Sequence, residues 1–156
     1  YIKNSANRGD IEIVIGSNDR NINTYVAGLL GMGRFEIENS LNCGNISVAG
    51  IDHQDLVGGL VTGRYNTDLL ATMSNCWNAG ESNSAYAFDS VSSRLYEKIS
   101  VLNCFYVNGT SECGTQKTLP EIIEIMRELW DNEIWDFDNL DKYGNPTLRA
   151  LQGTNE

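Results

Sequence analysis

The chain is poor in the residues on which most catalytic and metal sites depend. It has a single histidine, His53, and its 4 cysteines include no Cys-x-x-Cys pair, which argues against a zinc site. No nucleophile-elbow motif is present, so a catalytic triad around His53 is not indicated. We therefore expect no enzyme activity, no cofactor and no metal, and we interpret His53 as a surface-loop residue.

Basic residues are also scarce. There are 11 Lys and Arg against 21 Asp and Glu, which gives a net charge of -10 and argues against a nucleic-acid partner. No apolar run approaches the roughly 18 residues that a membrane helix needs, so no membrane insertion is expected. No signal peptide is visible. Little follows from that absence, because Ile2 already lies inside the first repeat. We expect the chain to begin partway through a longer protein.

Proline is rare, at 2 residues, whereas there are 15 glycines. This balance favours short strands joined by tight turns. The cysteines are too few for a disulfide scaffold in a chain of this size. We expect Cys76 and Cys104 to be buried thiols, and a disulfide between neighbouring strands is the alternative.

What the sequence does have is one short phrase written four times. Its key asparagines are separated by 35, 36 and 28 residues, and they are Asn4, Asn39, Asn75 and Asn103. Repeats of this length are typical of solenoids and arrays. Apolar residues stand two before and two after each asparagine, a period that predicts strands with one buried face. We predict that these asparagines stack in one column and hydrogen-bond to their copies. The next column would hold Ser5, Ser40, Cys76 and Cys104.

Two further features complete the repeat. Asn-x-Gly pieces at Asn7, Asn42 and Asn78 are expected to turn the chain into a following strand. A later glycine-containing strand, called the second phrase below, reads Gly28-Leu29-Leu30-Gly31 in the first copy and Gly59-Leu60-Val61 in the second, and the third copy lacks these glycines.

Together these phrases resemble the GLUG-motif repeat of bacterial secreted and cell-surface proteins. The resemblance covers about residues 1–110 and implies a mainly β fold, a parallel β-solenoid (β-helix) of three to four rungs. It also implies export, and neighbouring adhesion or hydrolase modules. It implies no catalytic residues, and the structural repeat positions are Gly28, Gly31, Gly59 and the four key asparagines.

Residues 111–156 follow a different pattern. Thr118-Leu119-Pro120-Glu121 is a capping box with proline in the first turn, and apolar residues follow at helical spacing. This predicts an amphipathic helix over about 119–131, the centre of a cap that covers the last rung. We assign the aromatic residues that follow, Trp135, Phe137 and Tyr143, to core packing, with a ligand platform as the alternative. The acidic cluster is interpreted as a solvated face, with calcium binding as the alternative, and comprises Asp131, Glu133, Asp136, Asp138 and Asp141.

These observations favour a non-catalytic module of a larger exported bacterial protein. It would act as an adhesion or ligand-presenting surface, or as a rigid spacer, and its partner would be a polysaccharide or a host or cell-surface protein. The alternative is a carbohydrate-active β-helix that binds or cleaves polysaccharide through exposed tyrosines, with Tyr65, Tyr86, Tyr96 and Tyr106 as candidates. Self-association through the first rung is a third hypothesis.

Overall fold

The protein is mainly β, with parallel sheets and an α-helix. The computed structural model describes residues 1–14, 25–31, 33–50, 56–62, 71–82, 88–89 and 99–152. The chain divides into two compact units, Tyr1–Gln116 and Lys117–Glu156. The first unit therefore continues past the boundary at 110 that the repeat predicts, because a last short strand at Thr115–Gln116 pairs back onto the strand Ile99–Tyr106.

The first unit is built from short strands, as the glycine and asparagine content predicts. In chain order they are β1 (Ile2–Lys3), β2 (Ala6–Asn7), β3 (Ile11–Val14), β4 (Tyr25–Ala27), β5 (Glu36–Glu38), β6 (Leu41–Asn42), β7 (Ile46–Ala49), β8 (Leu56–Gly58), β9 (Ala71–Asn78), β10 (Phe88–Asp89), β11 (Ile99–Tyr106) and β12 (Thr115–Gln116).

The principal sheet aligns the four copies of the repeated phrase. Its parallel order is β1-β5-β9-β11-β12, and β2 pairs with β6, which pairs with β9. Ile2 lies opposite Ile37, Ile37 opposite Met73, and Met73 opposite Val101. The alignment that the repeat predicts is confirmed. Because identical phrases pair with one another, any slip in register would misplace every apolar and polar column at once.

Two other parallel sheets take their strands from the same copies. In one, β3 pairs with β7 and Ile11 lies opposite Ile46. The other has the order β10-β8-β4, with Val26 opposite Val57. The third copy lacks the glycines of the second phrase, yet β10 still pairs with β8 at the equivalent place.

Apolar side chains of the phrase form the interior of this unit. Ile37 and Met73, two residues before an asparagine, are buried, and so are Leu41 and Trp77, two residues after one. One buried cluster consists of Phe35, Ile37, Leu60, Val61, Ala71, Met73, Cys76, Cys104 and Tyr106. A second consists of Val26, Ile46, Val48 and Val57.

The second unit begins with the predicted helix, α1 (Leu119–Leu129). Thr118 and Glu121 form the expected capping box, and the buried face carries Ile122, Ile123 and Met126. The helix ends two residues earlier than predicted because Trp130 is extended, with φ -95° and ψ 150°. Its ring packs on Trp135 at 4.4 Å between centroids.

A hairpin that the sequence did not reveal follows the helix. It pairs β13 (Trp135–Leu140) with β14 (Pro146–Leu148) in antiparallel fashion, and a 3₁₀ turn covers Arg149–Leu151. Trp135 and Phe137 are buried, as expected for core residues. The same assignment is wrong for Tyr143, which is 63% exposed at the tip of the hairpin.

Candidate functional site

The repeated asparagines sit at a bend in each strand. Asn4, Asn39, Asn75 and Asn103 all have positive φ angles, of 50°, 49°, 52° and 50°. Asparagine adopts this left-handed conformation more readily than other residues with a side chain. The bend interrupts the strict alternation of the strand, which explains how two successive residues after the asparagine are both buried, Ser40 with Leu41 and Cys76 with Trp77.

The first polar column is a ladder of these asparagine side chains. Asn75 Nδ2 donates to Asn39 Oδ1 at 3.2 Å, and Asn103 Nδ2 donates to Asn75 Oδ1 at 3.0 Å. The predicted stacking is confirmed for these three copies. The step to the first copy differs, because Asn4 Oδ1 is buried without a hydrogen-bond partner among the described residues.

A second asparagine ladder runs through the Asn-x-Gly pieces. Asn7 Nδ2 donates to Asn42 Oδ1, and Asn42 Nδ2 donates to Asn78 Oδ1, each at 2.7 Å. Each amide also donates to the glycine carbonyl two residues on, as Asn42 does to Gly44 at 3.0 Å. Asn42 and Asn78 are buried. From the sequence we assigned these residues a role in turns alone. Each of them follows an asparagine of the first column by the same number of residues, and this constant spacing indicates a second column.

A third polar column follows the glycine of the phrase. Asp10 Oδ1 accepts the Asn45 N–H at 2.7 Å, and Asn45 Oδ1 accepts the Glu81 N–H at 3.0 Å. In each pair the side chain of the earlier copy holds the backbone of the next one. The full phrase is therefore Asn-x-x-Asn-x-Gly followed by a side chain with an acceptor oxygen.

The hydrogen bonds of the serine and cysteine column explain why either residue type can occupy this position. Ser40 Oγ donates to the Glu38 carbonyl at 2.8 Å, and Cys76 Sγ donates to the Ser74 carbonyl at 3.1 Å. Both bonds reach back two residues across the asparagine bend. Cys76 and Cys104 are free, buried thiols that lie in register. Burial, together with the neighbouring Cys104, raises the pKa of the Cys76 thiol, so it is a poor nucleophile.

One glycine of the second phrase, Gly28, lies directly against the second ladder. The Gly28 N–H donates to the Gly59 carbonyl at 3.2 Å. A Cβ on Gly28 would lie 2.3 Å from Asn42 Cγ, and one on Gly31 would lie 2.7 Å from the Tyr25 carbonyl oxygen. No side chain fits at either position, which accounts for the glycines of the Gly-Leu-x-Gly motif.

The tyrosines proposed as a sugar platform receive no support. Tyr106 is 9% exposed and belongs to the buried cluster, so the expectation that its ring is exposed is wrong. It lies opposite Asn78 in β9 and so occupies the column of the second ladder. Tyr65, Tyr86 and Tyr96 lie outside the described residues, and so does His53.

An open cleft of about 510 Å³ lies at one side of the first unit. Its lining is Tyr1, Arg34, Phe35, Glu36 and Thr72. Glu36 is the one carboxylate in this lining, whereas glycoside hydrolysis by the usual route uses a pair. The cleft thus offers mixed charge over a buried aromatic ring, and not the arrangement that the polysaccharide-cleaving alternative requires.

The acidic cluster of the second unit is not uniformly a solvated face. Asp136 is 1% exposed, so that interpretation is wrong for this residue. Its Oδ2 accepts hydrogen bonds from Asn139 Nδ2 and Gln152 Nε2, each at 2.7 Å, and Arg149 Nη1 lies 3.2 Å away. The hydrogen bonds from Asn139 and Gln152 hold the pKa of the Asp136 carboxyl well below its usual range. This carboxylate fastens the hairpin to the 3₁₀ turn.

The second unit should therefore lose stability in acid. A carboxyl with a depressed folded-state pKa contributes stability that is complete above its unfolded pKa of about 3.9 and is lost as the pH falls further. We expect the urea midpoint of the second unit, followed by the NMR signals of Ile122 and Phe137, to hold from pH 7 to pH 5 and to drop towards pH 3. Asp136→Asn should remove most of that drop, and an unchanged pH profile in this variant would contradict the assignment.

Among the residues that the structure describes, no three His, Cys, Asp or Glu side chains come together as a metal ion would need. Within the same part of the chain, no helix has both the length and the apolar character to cross a membrane. The chain matches no family model, no curated protein and no solved structure.

Proposed function

We propose that residues 1–116 form a short parallel β-solenoid that serves as a non-catalytic module of a larger exported bacterial protein. In this arrangement each copy of the phrase is one turn, and the three parallel sheets are the walls. The module acts as a rigid spacer or presents a surface for adhesion.

The observation that carries this proposal is the use of the repeated polar residues. Asn39 and Asn42 each bond to an equivalent asparagine of another copy, and Asn45 holds the backbone of the third copy. The residues that make the repeat recognisable therefore use their side-chain hydrogen bonds to join one copy to the next. This is the behaviour of a stack that can be extended, in which each repeat contacts its neighbours.

The resemblance to GLUG-motif repeats supports the same proposal. Its two parts, the asparagine phrase and the Gly-Leu-x-Gly strand, meet in space where Gly28 abuts Asn42. Because the two parts of the motif pack against each other, packing accounts for the identity of both residues, and no ligand is needed to explain them. Export and adhesion enter from the resemblance and are tested separately.

The solenoid is tested by lengthening it. Three additional copies of residues 35–70, inserted in tandem after residue 70, should extend the molecule along one axis by about 14 Å, since parallel strands lie about 4.8 Å apart. Small-angle scattering measures the increase. The control carries alanine at the positions of Asn39 and Asn42 in each inserted copy and should not give an ordered extension. Growth of the wild-type insertion in all directions would contradict the proposal.

The non-catalytic role is tested with the full chain on a glycan array and in a polysaccharide-cleavage assay. We expect no release of reducing ends from any polysaccharide. Saturable binding to one glycan would favour the adhesion role over the spacer, and release of reducing ends would overturn the proposal. Binding of the chain to intact bacterial or host cells distinguishes the two non-catalytic roles.

A further inference from the structure

Sulfur-containing side chains are concentrated at one place inside the first unit. The chain has 4 cysteines and 3 methionines. Met73, Cys76 and Cys104 belong to one buried cluster, and Cys113 packs against it. Met73 and Cys76 are fully buried, and Cys104 is 4% exposed. The equivalent positions of the first two copies hold isoleucine and serine, so the fold itself does not require sulfur at these positions.

The two buried thiols are held in the same way in consecutive copies. Cys76 and Cys104 lie opposite each other in β9 and β11. Each thiol contacts two carbonyl oxygens, one from the residue two before it and one from the residue two before the asparagine of the previous copy. The distances from these oxygens are 3.1 and 3.9 Å for Cys76 Sγ and 3.6 and 3.7 Å for Cys104 Sγ. The two side chains therefore have the same orientation.

This common orientation determines the separation of the two sulfur atoms. Side chains of equal orientation in paired parallel strands lie as far apart as the strands, about 4.8 Å. Cβ atoms joined by a disulfide lie nearer, at about 3.8 Å, so a disulfide would require β9 and β11 to approach each other. Two metal–thiolate bonds in line, each of about 2.3 Å as for zinc, span about 4.6 Å. A cation therefore fits between the two sulfur atoms without a change in the strand spacing.

The ligand set selects a soft monovalent cation. Thiolates and thioethers select Cu(I), which accepts two or three ligands. The thioether of Met73 brings a third soft atom into the same buried cluster. Structural Zn²⁺ takes four ligands, and within the described residues no three His, Cys, Asp or Glu side chains come together to begin such a set.

The apolar surroundings limit how much charge the site can carry. Burial raises the pKa of the Cys76 thiol, so two thiolates side by side are unfavourable. Binding of one Cu(I) needs only one of them. One S–H bond breaks and its proton passes to water, the resulting thiolate binds the copper, and the second thiol and the thioether bind as neutral ligands. The site stays neutral, and no atom changes its oxidation state.

Cys113 provides a route to this site from the surface. It is half-buried and packs against the same cluster. Ser111 Oγ accepts its N–H at 3.3 Å, which holds the turn that carries it. A thiol at this boundary can take a cation from solvent and pass it inward by exchange of one sulfur ligand for another.

We propose that Cys76 and Cys104 bind one Cu(I) ion, with Met73 as a third ligand and Cys113 as the thiol through which the ion enters. This metal-binding role goes beyond the spacer or adhesion role. It depends on the pairing of β9 with β11 and would hold whatever surface the module presents.

The experiment titrates the full, reduced chain with Cu(I) in the absence of oxygen, against bathocuproine disulfonate as the competing chelator. We expect one Cu(I) per chain. Cys76→Ser and Cys104→Ser should each lower the affinity at least about 100-fold, and Met73→Ile about 10-fold. The earlier copies carry serine and isoleucine at these positions, so the variants should keep the fold, which their urea midpoints check. Cys43→Ser, outside the cluster, is the matched control and should bind as the wild type does.

The entry route is tested by the rate of loading. Cys113→Ser should slow the uptake of Cu(I) in stopped-flow absorbance and leave the affinity at equilibrium unchanged. A wild-type rate in this variant would overturn the role of Cys113. Loss of its affinity would move the site away from the buried pair and so overturn the proposal.

X-ray absorption at the copper edge tests the site without any substitution. It should show sulfur neighbours alone, and nitrogen or oxygen neighbours would overturn the proposal. The same conclusion would follow from an absence of Cu(I) binding, from wild-type affinity in Cys76→Ser or Cys104→Ser, or from Zn²⁺ bound as tightly as Cu(I).

Discussion

Asn42→Ala is expected to lower the free energy of unfolding by about 3 kcal/mol, because it leaves two buried acceptors without a donor. These acceptors are Asn78 Oδ1 and the Gly44 carbonyl, at 2.7 and 3.0 Å from the Asn42 amide. The donor Asn7 Nδ2 also loses its longer-range partner and keeps the Gly9 carbonyl at 3.1 Å. Urea unfolding of the full chain, with the slope held common to both proteins, measures the difference.

The matched control is Asn103→Gly at the exposed end of the first ladder. Asn103 has a φ of 50°, which glycine adopts without strain, and it makes an exposed bond to Asn75. The Asn103→Gly substitution removes this hydrogen bond and should change the free energy of unfolding by no more than about 0.5 kcal/mol. Similar losses in both variants would mean that burial of the second ladder contributes nothing beyond an exposed amide contact.

Gly44→Ala is expected to destabilise the protein by about 3 kcal/mol, through crowding between copies. The added Cβ would lie 2.0 Å from the Gly9 carbonyl oxygen and 3.1 Å from Asn7 Nδ2. The carbonyl belongs to the backbone, so relief of the clash requires the two copies to separate. Hydrogen exchange should accelerate in β2 and β6, and the urea midpoint should fall.

Gly9→Ala makes the same chemical change in the equivalent glycine, where space is free, and serves as the control. It should leave the free energy of unfolding within about 0.5 kcal/mol of the wild type, or raise it slightly by restricting the unfolded chain. If both alanine variants behaved alike, the crowding would not arise from the contact between copies, and the close approach at Gly44 would need another explanation.

The principal sheet could be predicted from the sequence because the repeat determines which residues of neighbouring strands pair. Ile2, Ile37, Met73 and Val101 pair in the order that the phrase demands, and the capping box correctly placed the start of α1. The repeated phrase and the capping box are patterns that each have a single physical interpretation. A repeated phrase pairs with itself, and a threonine with a glutamate three residues on caps a helix.

The left-handed asparagines and the second ladder could not be predicted with the same ease. Alternation of apolar residues indicates an extended strand, and a single residue of positive φ does not disturb that pattern in the sequence. Asn-x-Gly is a strong turn signal by itself, which concealed the side-chain role of Asn42. The burial of Tyr106 follows once it is aligned with Asn78, since it then occupies an interior column.

The hairpin of the second unit lacked a strong signal for a different reason. Its turn ends at Gly144, with φ 85°, after Lys142 and Tyr143, which do not make one of the favoured two-residue turns. Asp136 is held by partners as distant as Gln152, at 2.7 Å. Its burial depends on tertiary contacts. The run of acidic residues in the sequence indicates a solvated face instead.

The opposite directions of the two asparagine ladders have an electrostatic consequence. In one column every amide donates toward the beginning of the chain, from Asn103 to Asn75 to Asn39, and in the other every amide donates toward the end, from Asn7 to Asn42 to Asn78. An α-helix aligns its peptide dipoles and accumulates partial charge at both ends. Here the two rows of side-chain dipoles oppose each other, so adding copies builds up little net dipole from these side chains along the stack.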